Sequence, residues 1–157
     1  MKKETVVVLH NIRSVYNAGA IFRTADAAGI SKIYLTGYTS TPLDRFGRER
    51  KDFAKSALGA QKSVPWEYVK SSSVLIKILK KDDFEVVAVE QSKDSIDYKR
   101  FKPKQKTVFL FGNEVRGISS QFLKKCDKII EIPMRGKKES LNVSVSAGIV
   151  LFRVLGV

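Results

Sequence analysis

Short apolar segments rich in β-branched residues recur along the chain, and helical patterns separate them. The runs TVVVL (residues 5–9), SKIYLTG (31–37), FEVVAVE (84–90), TVFLFG (107–112) and KIIEIP (128–133) have the length and composition of buried strands. Residues 17–28, 72–82, 119–126 and 141–156 are predicted to be helices. Because strands that alternate with helices are typical of α/β proteins, the sequence predicts a single, mostly parallel sheet flanked by helices.

Residues at the helix ends refine this prediction. Asn17 is placed to cap the N-terminus of the first helix, and Gly29 is placed to end it. The last helix is apolar over most of its circumference, so we expect burial on more than one side, by deep insertion into the fold or by a partner subunit. Residues 38–56 are polar and charged, which predicts a long surface loop that runs into a short helix.

Length and cysteine usage bear on architecture and compartment. At 157 residues the chain is predicted to form a single domain, residues 1–157. No apolar run approaches the roughly 20 residues of a membrane span, and the apolar run near the N-terminus is too short for a signal peptide. The single Cys126 excludes an internal disulfide. We therefore expect a cytoplasmic protein that does not bind a membrane.

The charge balance is unusual for a domain of this size. The chain carries 29 Lys and Arg residues against 16 Asp and Glu residues, which gives a formal net charge of +13. A domain this basic attracts polyanions, and nucleic acid is the partner that this charge favours. The alternative is a basic protein whose charge only keeps it in solution.

Several enzyme classes are disfavoured because their motifs are missing. Gly112 and Gly117 have the spacing of a phosphate-binding loop, but no lysine follows the second glycine, and no G-x-G-x-x-G sequence occurs. One His and one Cys cannot supply the usual ligands of a metal site, so we expect no metal. His10 could be a general base or an ordinary polar loop residue. A hydrolase built on His10 and a serine lacks the G-x-S-x-G turn that exposes a nucleophile.

Three polar segments, NAGAIFR, FGNEVRG and IPMRGKKESLNVS, follow predicted strands or begin predicted helices. Since the carboxyl ends of parallel strands meet at one edge of a sheet, we expect these segments to converge. A glutamate just past the end of the buried run FLF must be solvated or have a function. Taken singly, each segment has a simpler explanation, with Asn17 and Asn142 as helix caps, Arg23 as an exposed helix residue and Glu114 as a turn residue.

In this order and spacing, NAGAIFRTADAAG, LFGNEVRGIS and IPMRGKKESLNVSVSAGIVLF resemble the three motifs of the SpoU/TrmH family of RNA ribose 2′-O-methyltransferases, a branch of the SPOUT class. The similarity runs from about residue 7 to the C-terminus. It implies the SPOUT fold with a C-terminal trefoil knot, which general rules of chain topology would not suggest. It also implies S-adenosylmethionine as cofactor, S-adenosylhomocysteine as product, and a homodimer with the active site at or near the interface. Some members carry an added RNA-binding domain, and we expect none here.

The resemblance also assigns roles by position. Arg23 is often cast as the base in this family, but a guanidinium keeps its proton in proteins. We therefore prefer Arg23 as a cation that stabilises the developing alkoxide and grips the adjacent phosphate. Gly112 is expected to let the backbone approach the cofactor, and Gly117 to let the loop turn back. The residues that match catalytic positions are Arg23, Asn17, Glu114, Ser140 and Asn142. The resemblance implies that backbone groups of the second and third motifs bind the cofactor, and the residues expected to contact it are Leu110, Phe111, Gly112, Asn113, Ile132, Met134, Ser140 and Leu141.

The implied substrate is RNA and not DNA, because the reacting group is the hydroxyl that DNA lacks. We expect tRNA, with ribosomal RNA as the alternative substrate. A non-catalytic RNA-binding or assembly protein on the same fold is the competing hypothesis, and such a protein has no reason to bind the cofactor. Phe46 and Tyr38 could stack on an unpaired base or pack locally. Phosphate contacts are expected from Arg45, Arg48, Arg50, Lys51, Arg116, Arg135, Lys137 and Lys138.

Overall fold

The computed structural model describes residues 2–157, which form a seven-stranded sheet with helices on both faces. The strands are β1 (Glu4–His10), β2 (Lys32–Thr36), β3 (Trp66–Val69), β4 (Glu85–Val89), β5 (Ile96–Asp97), β6 (Lys106–Phe111) and β7 (Lys128–Glu131). The helices are α1 (Val15–Ala28), α2 (Lys51–Ala57), α3 (Ala60–Ser63), α4 (Ser72–Lys81), α5 (Ser120–Leu123) and α6 (Val143–Leu155), and Tyr98–Arg100 form a 3₁₀ turn. No helix within residues 2–157 has the length and apolar character needed to cross a membrane.

All strand pairings are parallel, in the order β3-β2-β1-β6-β4-β7-β5. This confirms the predicted sheet. The central strands β1 and β6 pair Val7 with Phe109 and Val8 with Leu110. Val7 and Phe109 belong to the core beneath α1 and α6, whereas Val8 and Leu110 belong to the core beneath α4. Strands covered on both faces need continuous apolar runs, which is why TVVVL and TVFLF show no polar alternation.

The connections create a crevice at the carboxyl edge of the sheet. After β1 the chain turns toward β2, and after β6 it turns toward β7 on the other side of the sheet. Because β1 and β6 are neighbours, their outgoing loops diverge from a shared gap. Ligands of α/β proteins commonly bind at such a switch point. The trefoil knot that the resemblance implies stays a prediction.

Two short strands and one helix cap differ from the predictions. The sequence did not indicate β3 and β5, because strands of four and two residues at the sheet edges are too short for a recognisable period. The prediction that Asn17 caps α1 is wrong, since Ser14 is the cap and its side chain accepts a hydrogen bond from the Asn17 N–H. Gly29, with φ of +73°, ends α1 as predicted.

Helices α1 and α2 pack closely because one residue lacks a side chain. The rings of Phe22 and Phe53 meet edge to face with centroids 5.1 Å apart. A Cβ atom on Gly19 would collide with Ser56 Oγ and would lie 2.9 Å from the Phe53 carbonyl oxygen. Gly19 therefore sets the distance at which α2, and with it the end of the preceding loop, packs on α1.

We predict that Gly19→Ala lowers the free energy of unfolding by about 1–3 kcal/mol, because the added methyl overpacks the α1–α2 contact. Gly148→Ala in α6 is the matched control, since the nearest atom to its new Cβ is Thr24 Cγ2 at 3.9 Å. That change should be neutral or stabilise by up to about 1 kcal/mol through helix propensity. Urea unfolding of the two variants measures both effects, and equal destabilisation of both would contradict the packing explanation.

Candidate active site

The turn after β6 has a fixed backbone shape. The Asn113 side-chain oxygen accepts hydrogen bonds from the N–H groups of Val115 (2.9 Å) and Arg116 (2.8 Å). The Gly117 N–H donates to the Asn113 carbonyl oxygen (2.9 Å). Gly117 has φ of +64°, which lets the chain turn back at a conformation that favours glycine. The sequence GNEVRG therefore forms a closed turn organised by Asn113.

Gly112 packs against the returning arm of the same turn. A Cβ atom on Gly112 would lie 2.5 Å from Ile118 Cγ1 and 2.9 Å from the Gly117 backbone. A side chain on Gly117 would collide with the Glu90 carboxylate, which accepts a hydrogen bond from the Ile118 N–H (3.0 Å). Closure of the turn therefore requires both glycines, whether or not a ligand is bound.

Glu114 reaches from this turn to the start of α1. Its carboxylate accepts hydrogen bonds from the N–H groups of Arg13 and Ser14, both at 3.0 Å, and from Asn17 Nδ2 at 3.2 Å. Partial burial alone would raise the pKa of Glu114, but the hydrogen bonds from Ser14, Arg13 and Asn17 favour the charged form, and the pKa lies below its ordinary value. Glu114 thus holds the first turn of α1 as an ionised carboxylate.

Asn17 joins this carboxylate to the start of α6. Its Nδ2 donates to Glu114, and its Oδ1 accepts from Asn142 Nδ2 at 3.1 Å. The Asn142 Oδ1 caps α6 by accepting from the N–H groups of Ser144 (2.9 Å) and Val145 (3.3 Å). Only 6% of the Asn17 surface is exposed. The structure therefore brings Asn17, Glu114 and Asn142 into one chain of hydrogen bonds.

A cavity of about 210 Å³ opens beside the turn, between the carboxyl ends of the strands and the N-terminus of α6. Its charged lining residues are Glu90, Glu114 and Glu131 against Arg116. The cavity therefore carries excess negative charge within a chain of net charge +13. The remaining lining residues are Val89, Gln91, Phe111, Gly112, Asn113, Val115, Gly117, Ile132, Met134, Ser140, Leu141, Val143 and Ser146.

Most residues that the sequence assigned to the cofactor lie in this lining, and Leu110 does not. Its side chain is fully buried in the core beneath α4. The sequence missed Glu90 and Gln91, although both follow β4 at the same sheet edge and the strand-end rule could have found them. The Gln91 side chain donates to the Glu139 carbonyl oxygen (2.6 Å), which fastens the loop before α6.

Arg23 lies apart from the cavity. It is exposed on α1, and it makes no ion pair with any residue in the described range 2–157. Ser140, by contrast, is exposed on the cavity wall. The described chain therefore gathers four of the five residues matched to catalytic positions and leaves Arg23 on the outer surface.

The basic residues assigned to RNA fall into two groups. Arg48 pairs with Asp44 (3.0 Å) and Arg50 pairs with Asp52 (2.8 Å), so part of their charge is neutralised. The other six are exposed and have no carboxylate partner within residues 2–157, and Arg116 also lines the cavity. These six are Arg45, Lys51, Arg116, Arg135, Lys137 and Lys138.

His10 has a structural explanation. Its Nδ1 lies 2.9 Å from Thr36 Oγ1, its Nε2 lies 3.2 Å from Asn11 Nδ2, and its ring stacks on Phe122. Since Asn11 Nδ2 can only donate, Nε2 accepts and Nδ1–H donates to Thr36. Burial lowers the pKa of His10 and favours this neutral form. No cluster of three or more His, Cys, Asp or Glu side chains in the described part of the chain could hold a metal ion.

Comparisons with known proteins agree on one family. The model of the SpoU rRNA Methylase family matches residues 4–152. The tRNA (guanosine(18)-2′-O)-methyltransferase of Aquifex aeolicus is 34% identical over 151 residues, which cover 96% of this chain and 68% of that protein. A protein of Staphylococcus saprophyticus named as a TrmH family tRNA/rRNA methyltransferase is 31% identical, over 98% of this chain and 59% of its own. The chain thus spans about three fifths to two thirds of these relatives.

Solved structures share the fold. The A. aeolicus TrmH/SpoU tRNA modifying enzyme superposes with a TM-score of 0.85 at 30% identity, over 99% of this chain and 75% of that one. The AdoMet-bound rRNA methyltransferase from Sinorhizobium meliloti superposes with a TM-score of 0.88 at 30% identity, over 98% and 56% of the two chains.

We predict that Glu114→Gln lowers the free energy of unfolding by about 1–2 kcal/mol at pH 7, because an amide cannot accept all three hydrogen bonds. The lowered pKa of Glu114 means that the unfolded chain binds this proton more readily than the folded chain. The contribution is therefore complete above the ordinary pKa of 4.5 and is lost as the pH falls through the lower folded value. Urea unfolding of both proteins should show their difference shrinking in acid. A difference that stays constant with pH would contradict the assignment.

Proposed function

The chain belongs to the SpoU rRNA methylase family, and from that premise we propose that it is an S-adenosylmethionine-dependent enzyme that methylates a ribose 2′-OH in RNA. The observation that carries the proposal is the negatively charged cavity lined by the second and third motif segments, which the hydrogen bonds of Asn17 join to the first, within a strongly basic chain. Such a cavity favours a small cation, and the surrounding surface favours a polyanion. A methyl-transfer enzyme for RNA needs both ligands at one place.

The cavity lining fits S-adenosylmethionine in its chemistry. The sulfonium and ammonium groups outnumber the single carboxylate of this cofactor, so an excess of protein carboxylates favours its binding. Phe111, Ile132 and Leu141 offer apolar walls for a base and an alkyl chain. Glu131 accepts no hydrogen bond from other side chains in residues 2–157 and is available to hydroxyl or amino donors. When bound, the cofactor supplies an electrophilic methyl group.

Glu114 acts as a positioning residue and not as the base. Its carboxylate already accepts three hydrogen bonds, and its pKa is lowered, so it has little tendency to take up a proton at neutral pH. Through Asn17 it orients Asn142, which fixes the N-terminus of α6 beside the cavity. The 2′-hydroxyl proton leaves late, to water, to a carboxylate or to the RNA phosphate.

Arg23 supplies positive charge in this mechanism. A guanidinium keeps its proton, stabilises negative charge that develops on the 2′-oxygen, and binds a phosphate through two parallel hydrogen bonds. Exposure on α1 leaves it accessible to the backbone of a docked RNA. Arg116 on the cavity wall and the exposed Arg135 and Lys137 of the segment between β7 and α6 would neutralise phosphates without reading the sequence.

A homodimer completes the proposed site. Helix α6 buries Ala147, Val150 and Leu151 but leaves Val145 48% exposed, and Ile149 and Phe152 are only half-buried. An apolar helix with a second uncovered side favours a partner of the same kind. Because Arg23 lies outside the cavity of its own chain, we propose that it acts at the cavity of the partner protomer. We expect the enzyme in the cytoplasm, with tRNA as substrate and ribosomal RNA as the alternative.

We predict that the chain transfers labelled methyl groups from S-adenosylmethionine to unmodified RNA, tested with separate tRNA and ribosomal RNA pools. Arg23→Ala should reduce turnover by about 10²-fold or more while cofactor affinity stays unchanged, because the guanidinium acts on the RNA and not on the cofactor. Arg23→Lys should recover little, since an ammonium lacks the planar pair of donors. Nucleoside mass spectrometry identifies the 2′-O-methyl product. No methylation in either pool together with no cofactor binding would favour a pure RNA-binding protein.

Mixed dimers test the contribution from the partner. Leu141→Arg carries a cation into the cavity and should abolish cofactor binding, and Arg23→Ala removes the guanidinium. A purified mixed dimer contains one Leu141→Arg chain and one Arg23→Ala chain. If Arg23 acts across the interface, the intact cavity of the second chain receives the intact Arg23 of the first, so one site works and turnover returns to about half of the wild-type value. If Arg23 acts within its own chain, the mixed dimer stays as inactive as either parent variant.

A further inference from the structure

We propose that Phe46 is a stacking platform for an unpaired base of the RNA substrate. Phe46 lies at the tip of a hairpin formed by residues 43–49, which we call the tip hairpin. The inference rests on the proposed function, since it takes RNA as the substrate. It adds a residue that distinguishes unpaired from paired RNA, which phosphate contacts alone cannot do.

The tip hairpin is held by its own hydrogen bonds. Leu43 and Glu49 pair as an antiparallel bridge, and the Asp44 N–H donates to the Arg48 carbonyl oxygen at 2.8 Å. The Asp44 carboxylate in turn accepts from the N–H groups of Phe46 (2.8 Å) and Arg48 (3.0 Å). The backbone on either side of Phe46 is therefore shaped before any RNA binds, which reduces the entropy lost on binding.

Phe46 has the surroundings of a binding residue. The side chain is 66% exposed and belongs to neither buried core of the domain. Two guanidinium groups lie over its ring, Arg45 at 4.8 Å and Arg48 at 4.9 Å from the centroid. Aromatic rings and guanidinium planes are both surfaces on which nucleic-acid bases stack.

Arg45 and Arg48 differ in whether their charge is already paired with a carboxylate. Arg48 forms an ion pair with Asp44 at 3.0 Å, so its guanidinium is held in place beside the ring. Arg45 has no carboxylate partner among the residues that the structure describes. Arg45 can therefore bind the phosphate next to a base that stacks at Phe46, and the tip hairpin offers a stacking surface and a phosphate contact together.

The tip hairpin is anchored to the candidate active site. It follows β2, whose carboxyl end lies at the same sheet edge as the cavity. At the start of this loop, the Tyr38 hydroxyl accepts a hydrogen bond from Asn113 Nδ2 (2.9 Å), and Asn113 lines the cavity. Tyr38 thus has an anchoring role, which separates it from Phe46. The loop that carries the tip hairpin therefore begins at the edge of the sheet where the cavity opens, within reach of an RNA strand bound there.

The test uses two RNA probes of equal length, a hairpin with an unpaired loop and a blunt duplex. Phe46→Ala should weaken binding of the loop probe by about tenfold and leave duplex binding unchanged, because only unpaired bases can stack. Phe46→Trp should bind the loop probe at least as tightly as the wild type does. Phe46 is exposed, so an unchanged melting temperature would show that Phe46→Ala is folded.

Salt titration separates stacking from charge. Stacking releases no counterions, so Phe46→Ala should keep the wild-type slope of log K against log salt concentration. Arg45→Gln should reduce that slope by about 0.7, the value for one phosphate contact in single-stranded RNA. If Phe46→Ala binds the loop probe more weakly and its salt slope is also reduced, the variant has lost a phosphate contact. The loss of affinity would then come from a displaced arginine, and the stacking role would be overturned.

The remaining outcomes also decide the inference. If Phe46→Ala binds the loop probe as tightly as the wild type does, the inference is overturned. If the variant changes its oligomeric state but not its RNA binding, Phe46 is an interface residue and the inference is overturned as well. Methylation of RNA by a Phe46→Ala variant at wild-type kcat/KM overturns this inference and leaves the proposed function standing. If the wild type neither binds the loop probe nor methylates RNA, both fail together.

Discussion

The side-chain amide of Asn17 is the contact on which the architecture of the site depends. It donates to Glu114 and accepts from Asn142, and these two residues are 97 and 125 positions away in the sequence. An amide presents its donor and its acceptor on two separate atoms of one planar group, so it can bond two partners at once. Reversing the amide would place its oxygen against the Glu114 carboxylate, so the network fixes one orientation. The three loops, which follow different strands, are thereby held in fixed positions relative to one another.

This network explains why the first motif begins with an asparagine that does not cap its helix. Ser14 caps α1 through its side chain, and Glu114 satisfies the N–H groups of Arg13 and Ser14 from outside. Because Asn17 is not needed as a cap, its side chain can hydrogen-bond to the second and third motifs. The Glu114 carboxylate also joins the loops, since its hydrogen bonds and lowered pKa suit a fixed anion better than a base. The proposed reaction therefore assigns the positive charge to Arg23 and proton removal to a group other than Glu114.

Most of the fold could be predicted from the sequence, because buried parallel strands appear as continuous apolar runs and α1, α4 and α6 appear as helical patterns. The predictions that failed did so for local reasons. The edge strands β3 and β5 are too short to show a period. Side chains alternate along β6, so Phe111 lines the cavity whereas the Leu110 side chain lies in the core beneath α4, and contact of the Leu110 backbone with the cofactor stays a prediction. Glu90 and Gln91 were missed although the strand-end rule covers them, whereas the place of Glu131 beside the cavity depends on which strands become neighbours, which spacing along one chain does not reveal.

Helix α6 connects the site to the outer surface of the domain. It begins at Asn142, whose cap is part of the hydrogen-bond network, and it runs along α1 with one side buried and the other only partly covered. Val145, only three residues after this cap, is 48% exposed, so a partner that covers the exposed side of α6 would contact the helix next to its cap. The exposed Arg23 lies on the helix that packs against α6. The same two helices therefore present Arg23 outward and hold Asn17 in the interior, an arrangement that suits the site we propose to be shared between two protomers.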